Sequence, residues 1–231
     1  MTPHPFADLR SFNRIPITRL VQERFRLARA PPRRPVLNYL GMRLFVGIPL
    51  APKVVSELSA VVTKLKSNGD HLRWTTSESW HITLQFLGNT DQEHYQRLVA
   101  RLAEVHSRSV SVQLGELGFF ERAGIFIADV APSPEFVSLA GRVMAATSLC
   151  GFVSETGPFY PHITLARAKG EGRSRLLRAL QQKIHNQPAF SPFVASEYLL
   201  YESHLASAGS TYEICHCFPL GVRQGQVSSD H

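Results

Sequence analysis

The sequence predicts an α+β fold made of two similar halves, and three observations carry that expectation. Apolar runs with strand spacing alternate loosely with runs of helical spacing from Met42 onward. The tetrapeptide His-Ile-Thr-Leu occurs twice, as His81-Ile82-Thr83-Leu84 and as His162-Ile163-Thr164-Leu165, and each copy sits in an apolar strand-like run that a helical pattern follows. Outside these copies the repeat is weak, so the duplication is imperfect.

The elements follow in order. Leu44-Phe45-Val46-Gly47-Ile48 is a short apolar run and reads as a buried strand. Val54, Leu58, Val61, Val62 and Leu65 recur at helical spacing behind Pro52, a residue favoured in a first helical turn. Arg73–Thr76 and Trp80–Leu87 read as two strands. Thr90 and Glu93 have the spacing of a capping box and open a helix with the stripe Tyr95, Leu98, Val99, Leu102 and Val105. Val110–Phe119 and Ile125–Val130 form an expected strand pair turned at Gly124. Ser133-Pro134 supplies an N-cap and a first-turn proline for a helix to about Leu149. The second motif strand runs from His162 to Ala168, then Leu176, Leu177, Leu180 and Ile184 mark a further helix face. Strands over about Phe193–His204 and Thr211–Leu220 close the domain.

The 231 residues suffice for one large domain or two small lobes. The net charge of +7 suggests nucleic acid until its distribution is read. Residues 1–41 hold eight Arg against Asp8 and Glu23, which is +6 of the +7 and leaves the rest at +1. A broad basic surface is therefore not expected, and anion recognition has to be local. Residues 1–41, closing on Ala30-Pro31-Pro32-Arg33-Arg34-Pro35, read as a basic extension: a start-site artefact ahead of Met42 or a disordered arm, in preference to a targeting peptide. Residues 42–221 form the expected folded domain, with one motif in each of two lobes, and residues 222–231 a polar tail. Cys150, Cys215 and Cys217 are odd in number and lack zinc spacing, which suits free thiols in a reducing, cytoplasmic setting. Cys215 and Cys217 share strand parity and read as two small apolar residues on one face. No run approaches a membrane span.

Each motif places an imidazole two residues before a hydroxyl, and residues i and i+2 of a strand share a face. Strict alternation gives His81, Thr83 and Gln85 a polar face and gives Trp80, Ile82, Leu84 and Phe86 the core. In the second copy His162, Thr164 and Ala166 face out, while Ile163 and Leu165 face in. Two such faces across one cleft would hold an acid/base pair around a phosphate, since free His titrates near neutrality. The sequence does not orient the pair, because both copies look equally competent. His71, His94, His106, His185, His204 and His216 lack the paired setting and read as ordinary surface or strand residues.

Residues 42–220 resemble the LigT-like branch of the 2H phosphoesterase superfamily, the bacterial RNA 2′,3′-cyclic phosphodiesterases also called 2′-5′ RNA ligases. The likeness is carried by Met42-Arg43-Leu44-Phe45-Val46-Gly47-Ile48-Pro49, by Trp80–Gly88, by Pro161–Arg167 and by Gly209-Ser210-Thr211-Tyr212-Glu213. It implies a two-lobed, pseudo-symmetric fold whose antiparallel sheets, flanked by helices, enclose a central groove. It implies opening of a 2′,3′-cyclic phosphodiester to a 2′-phosphate with neither metal nor cofactor, and 2′-5′ joining of RNA as the same chemistry reversed. By the resemblance His81 is the proton donor, His162 the proton acceptor, Thr83 and Thr164 hold phosphate oxygens, and Arg167 is a phosphate clamp. Parity sets Arg167 opposite His162 unless the strand twists or ends there. Phe86 is a candidate stacking ring for a base, although parity favours the core. Arg122 could reach the groove from a loop, but reads first as a solvated surface residue. The expected partners are RNA ends or small cyclic-phosphate nucleotides, with a monomeric chain and no obligate protein partner. The rival readings are a non-catalytic RNA-end-binding module and, less in keeping with the residues, a His-ligated metal hydrolase.

Overall fold

A computed structural model describes residues 41–67, 69–153, 159–168, 170, 172–184, 189–206 and 209–221. The basic extension up to residue 40 and the tail 222–231 lie outside the described residues, as does His185.

Ten strands and four helices are described: β1 (Met42–Pro49), α1 (Pro52–Leu65), β2 (Arg73–Trp74), β3 (His81–Thr90), α2 (Gln92–Ala103), β4 (Val110–Val112), β5 (Leu114–Phe120), β6 (Ile125–Val130), α3 (Pro134–Ser148), β7 (His162–Arg167), α4 (Arg173–Gln181), β8 (Phe193–Ala195), β9 (Glu197–Ala206) and β10 (Gly209–Pro219). Short 3₁₀ turns at Ser77–Ser79 and Glu121–Ala123 join β2 to β3 and β5 to β6. All strand pairing is antiparallel. One four-stranded sheet has the order β10-β9-β1-β3, a second β2-β7-β6-β5, and β4 pairs with β8.

Each large sheet therefore carries one motif strand, but the halves are not consecutive in sequence. The first sheet is completed by β9 and β10 from the end of the domain, and β2, from the first half, edges the second sheet. Periodicity reveals elements and not partners, so this exchange has no signature in the pattern. The run Val110–Phe119 likewise splits at Gln113: Val110–Val112 pairs with β8, and only the rest pairs with β6. Gln113 fixes the break by donating its Nε2 to the carbonyls of Phe190 and Leu114, both at 2.9 Å.

The helix ends follow local chemistry. Ser133 caps α3 by accepting from the Phe136 N–H at 3.2 Å, with Pro134 in the first turn. The expected capping box does not form. Thr90 ends β3 and donates to the Gly88 carbonyl, while Asp91 takes the cap and accepts from the His94 N–H at 2.9 Å. At Gly124, φ is 68° and an added Cβ would lie 2.6 Å from the Ala168 carbonyl oxygen. Only glycine closes that turn against the end of β7.

One continuous core joins both sheets to the helices. It takes Val54, Leu58, Val62 and Leu65 from α1, Leu98 and Leu102 from α2, Phe136, Leu139, Ala140 and Val143 from α3, and Leu177 and Leu180 from α4. Ile82 and Leu84 enter it from β3, and Ile163, Leu165 and Ala166 from β7. A separate small cluster of Phe45, Leu199 and Tyr201, with Tyr212 against it, covers the opposite face of the first sheet. Cys215 and Cys217 do not share a simple face. The β9–β10 register slips between Ile214 and His216; Cys215 is half-buried, and the exposed Cys217 thiol donates to Glu197 at 2.6 Å.

Candidate active site

β3 and β7 repeat one local structure, residue for residue. In β3, His81 and Thr83 are half-buried, Ile82, Leu84 and Gln85 are buried, and Phe86 is exposed; in β7 the same order runs through His162, Thr164, Ile163, Leu165, Ala166 and Arg167. Two adjacent buried residues break strict alternation, and the pairing shows the cause. Opposite β1, Gln85 faces Val46 and Thr83 faces Gly47, so Leu84 is an extra residue. Opposite β6, Ala166 faces Phe126 and Thr164 faces Ile127, so Leu165 is an extra residue. Both strands carry a β-bulge at the same motif position, and a bulge inverts the parity of everything after it.

Four sequence expectations change for this one reason. Gln85 turns inward, where its Oε1 accepts from the Thr147 hydroxyl at 2.7 Å, and its Nε2 has no hydrogen-bond partner among the described residues. Ala166 is buried instead of facing out. Phe86 leaves the core for the motif face, 55% exposed, with its ring centroid 6.0 Å from that of Phe45. Arg167 joins His162 and Thr164 on the face that alternation denied it. Arg122 stays at the surface, in the Glu121–Ala123 turn.

The two imidazoles are held alike. His81 Nδ1 lies 2.8 Å from the Ser79 carbonyl and His162 Nδ1 lies 2.9 Å from the Tyr160 carbonyl, in each case two residues upstream. A carbonyl only accepts, so both Nδ1 atoms carry the proton and Nε2 is the basic nitrogen of each ring. Their packing differs. His81 lies 4.5 Å from Phe45 and edge-on to Tyr212 at 5.0 Å, with Tyr201 at 5.6 Å. His162 meets Phe120 edge-on at 4.8 Å. Gly47 makes room for the His81 ring: a Cβ there would stand 3.0 Å from the Ile82 carbonyl and 3.4 Å from His81 Cδ2. Neither Thr83 nor Thr164 has its hydroxyl engaged by another described residue.

The strands are tied together through Thr75, which sequence reading passed over because a lone Thr before a turn carries no signal. Its N–H donates to the Leu165 carbonyl at 2.9 Å. Its hydroxyl points at the carbonyls of Thr164 and Leu165, at 2.8 and 2.9 Å, and accepts from the indole of Trp80 at 2.9 Å. Trp80 immediately precedes His81, so one hydroxyl links the start of β3 to the bulge of β7.

Burial pushes the His81 pKa down to about 4, against the opposing hydrogen bond to Ser79, and His162 and Arg167 add to the depression as nearby positive charges. The charges of the second motif thus act on the first, so the two motifs lie near each other. With that pKa His81 is neutral at pH 7, and a bound phosphate would favour its protonated form. Ring NMR is expected to show His81 titrating near pH 4 in the free chain and at a clearly higher pH with inorganic phosphate bound; an unchanged value on phosphate addition would separate His81 from the anion site. Between pH 6.5 and 4 the unfolded chain takes up the proton that folded His81 refuses, so stability falls as pH falls through that window.

Among the described residues no group of three or more His, Cys, Asp or Glu is placed to hold a metal ion, and no helix is long and apolar enough to cross a membrane. His94 pairs with Asp91 at 2.8 Å, His204 with Glu213 at 3.4 Å, and His216 packs on Phe218, as ordinary surface and strand residues do.

The sequence model of the 2′-5′ RNA ligase superfamily matches residues 54–204, which span both motifs. The chain belongs to the 2′-5′ RNA ligase superfamily. Relatives within this superfamily include an RNA 2′,3′-cyclic phosphodiesterase of Geobacillus stearothermophilus, 30% identical over 79% of this chain and 59% of that protein. Another, from Methanocaldococcus jannaschii, is 25% identical over 75% of this chain and 98% of that protein. The chain thus spans less than two thirds of the first relative and nearly all of the second. Among solved structures, E. coli LigT complexed with 3′-AMP superposes with a TM-score of 0.65 at 21% identity, covering 78% of this chain and 98% of that one. The Thermus thermophilus protein TT0787 does so at 0.60 and 24% identity, covering 77% and 97%. The fold is that of the LigT-like phosphoesterases, α+β as the sequence reading has it.

Proposed function

We propose that this chain hydrolyses RNA 2′,3′-cyclic phosphodiester ends to 2′-phosphomonoesters, by general acid–base catalysis between His81 and His162. The observation that carries the reading is the duplicated bulged strand. It sets an imidazole of one tautomer and an unengaged hydroxyl on one face of each copy, with Phe86 or Arg167 beyond them, and the pull of His162 and Arg167 on His81 supports a shared groove. The cyclic phosphodiesterase names of the relatives point the same way.

In this reading Nε2 of His162 takes a proton from water as the water oxygen bonds to phosphorus. The bond from phosphorus to O3′ breaks, and Nε2 of His81 returns a proton to O3′. The products are a 3′-hydroxyl and a 2′-phosphate. Thr83, Thr164 and Arg167 receive the charge that builds on the non-bridging oxygens. The assignment of donor and acceptor rests on the family resemblance. The depressed His81 pKa adds a condition: His81 becomes a donor only once the anionic substrate is bound. Phe86, exposed beside Phe45, offers a ring for the terminal base. A 5′-hydroxyl in place of water would join two RNA ends through a 2′-5′ linkage. The three cysteines are free, which fits a reducing compartment, and we take the cytoplasm as the location.

Incubation with 2′,3′-cyclic AMP in excess chelator is expected to give 2′-AMP at the rate seen without chelator. Loss of turnover on chelation would replace the acid–base pair with a metal mechanism. Binding without turnover would leave an RNA-end-binding module, and 3′-AMP as product would reverse the bond that breaks.

A further inference from the structure

On the edge of the second sheet Arg73 of β2 stands directly opposite Arg167 of β7, and Trp74 stands opposite Ala166. Residues directly opposite in an antiparallel pair project from the same face. Ala166 is buried, so Trp74 follows it toward the core, and Arg73 shares the groove face with Arg167. Both arginines are exposed. Like charges directly opposite each other destabilise a strand pair. Among the described residues neither guanidinium has a hydrogen-bond or ion-pair partner. The nearby carboxylate, Asp70, is occupied elsewhere: it accepts from the Trp74 indole at 2.8 Å and from the Leu72 N–H at 3.0 Å. A cross-strand pair of unopposed guanidiniums is stabilised by an anion held between them.

The position of Arg73 separates it from the cyclic phosphate. Arg167 acts on His81 as a nearby charge, whereas Arg73 is not among the groups that do. Arg73 lies one strand outward of Arg167, and Arg167 lies one groove position, roughly 7 Å along a strand, beyond Thr164. That is the reach of one sugar–phosphate repeat. On the first motif's sheet Phe86 is exposed beside the buried Phe45, and the half-buried Tyr212 packs on Phe45 as well. A terminal nucleotide with its base on Phe86 and its cyclic phosphate between the motifs would have its 5′ phosphodiester left for Arg73.

We propose that Arg73, one strand outward of the Arg167 that serves the cyclic phosphate, holds the phosphodiester on the 5′ side of the terminal nucleotide, so that the site selects RNA chain ends over free cyclic mononucleotides. This rests on the function proposed above and names its substrate class.

The test compares kcat/KM on a diadenosine ending in a 2′,3′-cyclic phosphate with kcat/KM on 2′,3′-cyclic AMP, in the full chain. The wild type is expected to prefer the dinucleotide, and Arg73→Gln to lower that preference at least ~5-fold, with Arg73→Lys in between. The salt dependence of dinucleotide kcat/KM should also flatten in Arg73→Gln, by about one unit of log–log slope. A wild type without the preference, or an Arg73→Gln chain that keeps it whole, overturns the assignment. Turnover of neither substrate by the wild type sinks the hydrolase reading itself, and the role of Arg73 with it.

Discussion

Replacing His162 or His81 with Ala is expected to slow hydrolysis of 2′,3′-cyclic AMP at least ~100-fold in each case, the lower end for a general acid or base. The two losses arise differently. Without His162 no group removes the proton from water. Without His81 the O3′ leaving group departs as an alkoxide. Each ring has its Nδ1 held by one backbone carbonyl, from Ser79 or Tyr160, so Nε2 is the basic nitrogen that the substitution removes. Because His81 packs against Phe45 and Tyr212, Ala leaves a gap there, and His81→Gln is the better shape control. The readout is kcat, measured on variants whose thermal unfolding remains cooperative. A rate near wild type in either position removes that residue from the mechanism.

Thr83→Val and Thr164→Val are each expected to cost ~10²–10³ in kcat, the scale of deleting one preorganised donor to transition-state charge. Valine keeps the shape and the χ1 stiffness of threonine in a strand, so the change removes a hydroxyl and little else. Neither hydroxyl is engaged by another described residue, so no structural bond is lost with it. The loss should therefore fall on kcat more than on melting temperature. A Val variant with rates within threefold of wild type would show that the phosphate oxygens are held elsewhere.

Most of the secondary structure is legible in the sequence because apolar period reports burial. Pro52 and Ser133-Pro134 mark helix starts where the helices begin, and the motif strands lie where their apolar residues require. Two kinds of fact are not legible. One is partnership: β1 gives no sign that β9 lies beside it, because the pattern of a strand records which faces are buried and not by what. The other is the bulge. Alternation sends Phe86 and Arg167 to the core side, and a single extra residue at Leu84 and at Leu165 sends both to the groove. The family resemblance assigns Arg167 to phosphate against that parity, and the bulge is the physical reason the two can agree. Asp91 takes the cap expected of Thr90 because the strand runs three residues past its last apolar side chain, Leu87.

The exchange of strands between the two sheets has a consequence for synthesis. On the ribosome β1 and β3 emerge long before β9 and β10, and until that last hairpin arrives the first sheet exposes the β1 edge that β9 covers. Tyr201 and Tyr212, which wall in His81, arrive with the same hairpin. A nascent chain without that hairpin lacks two of the three aromatic rings against one imidazole, so under the proposed function competence to open a cyclic phosphate comes only after β10 has emerged.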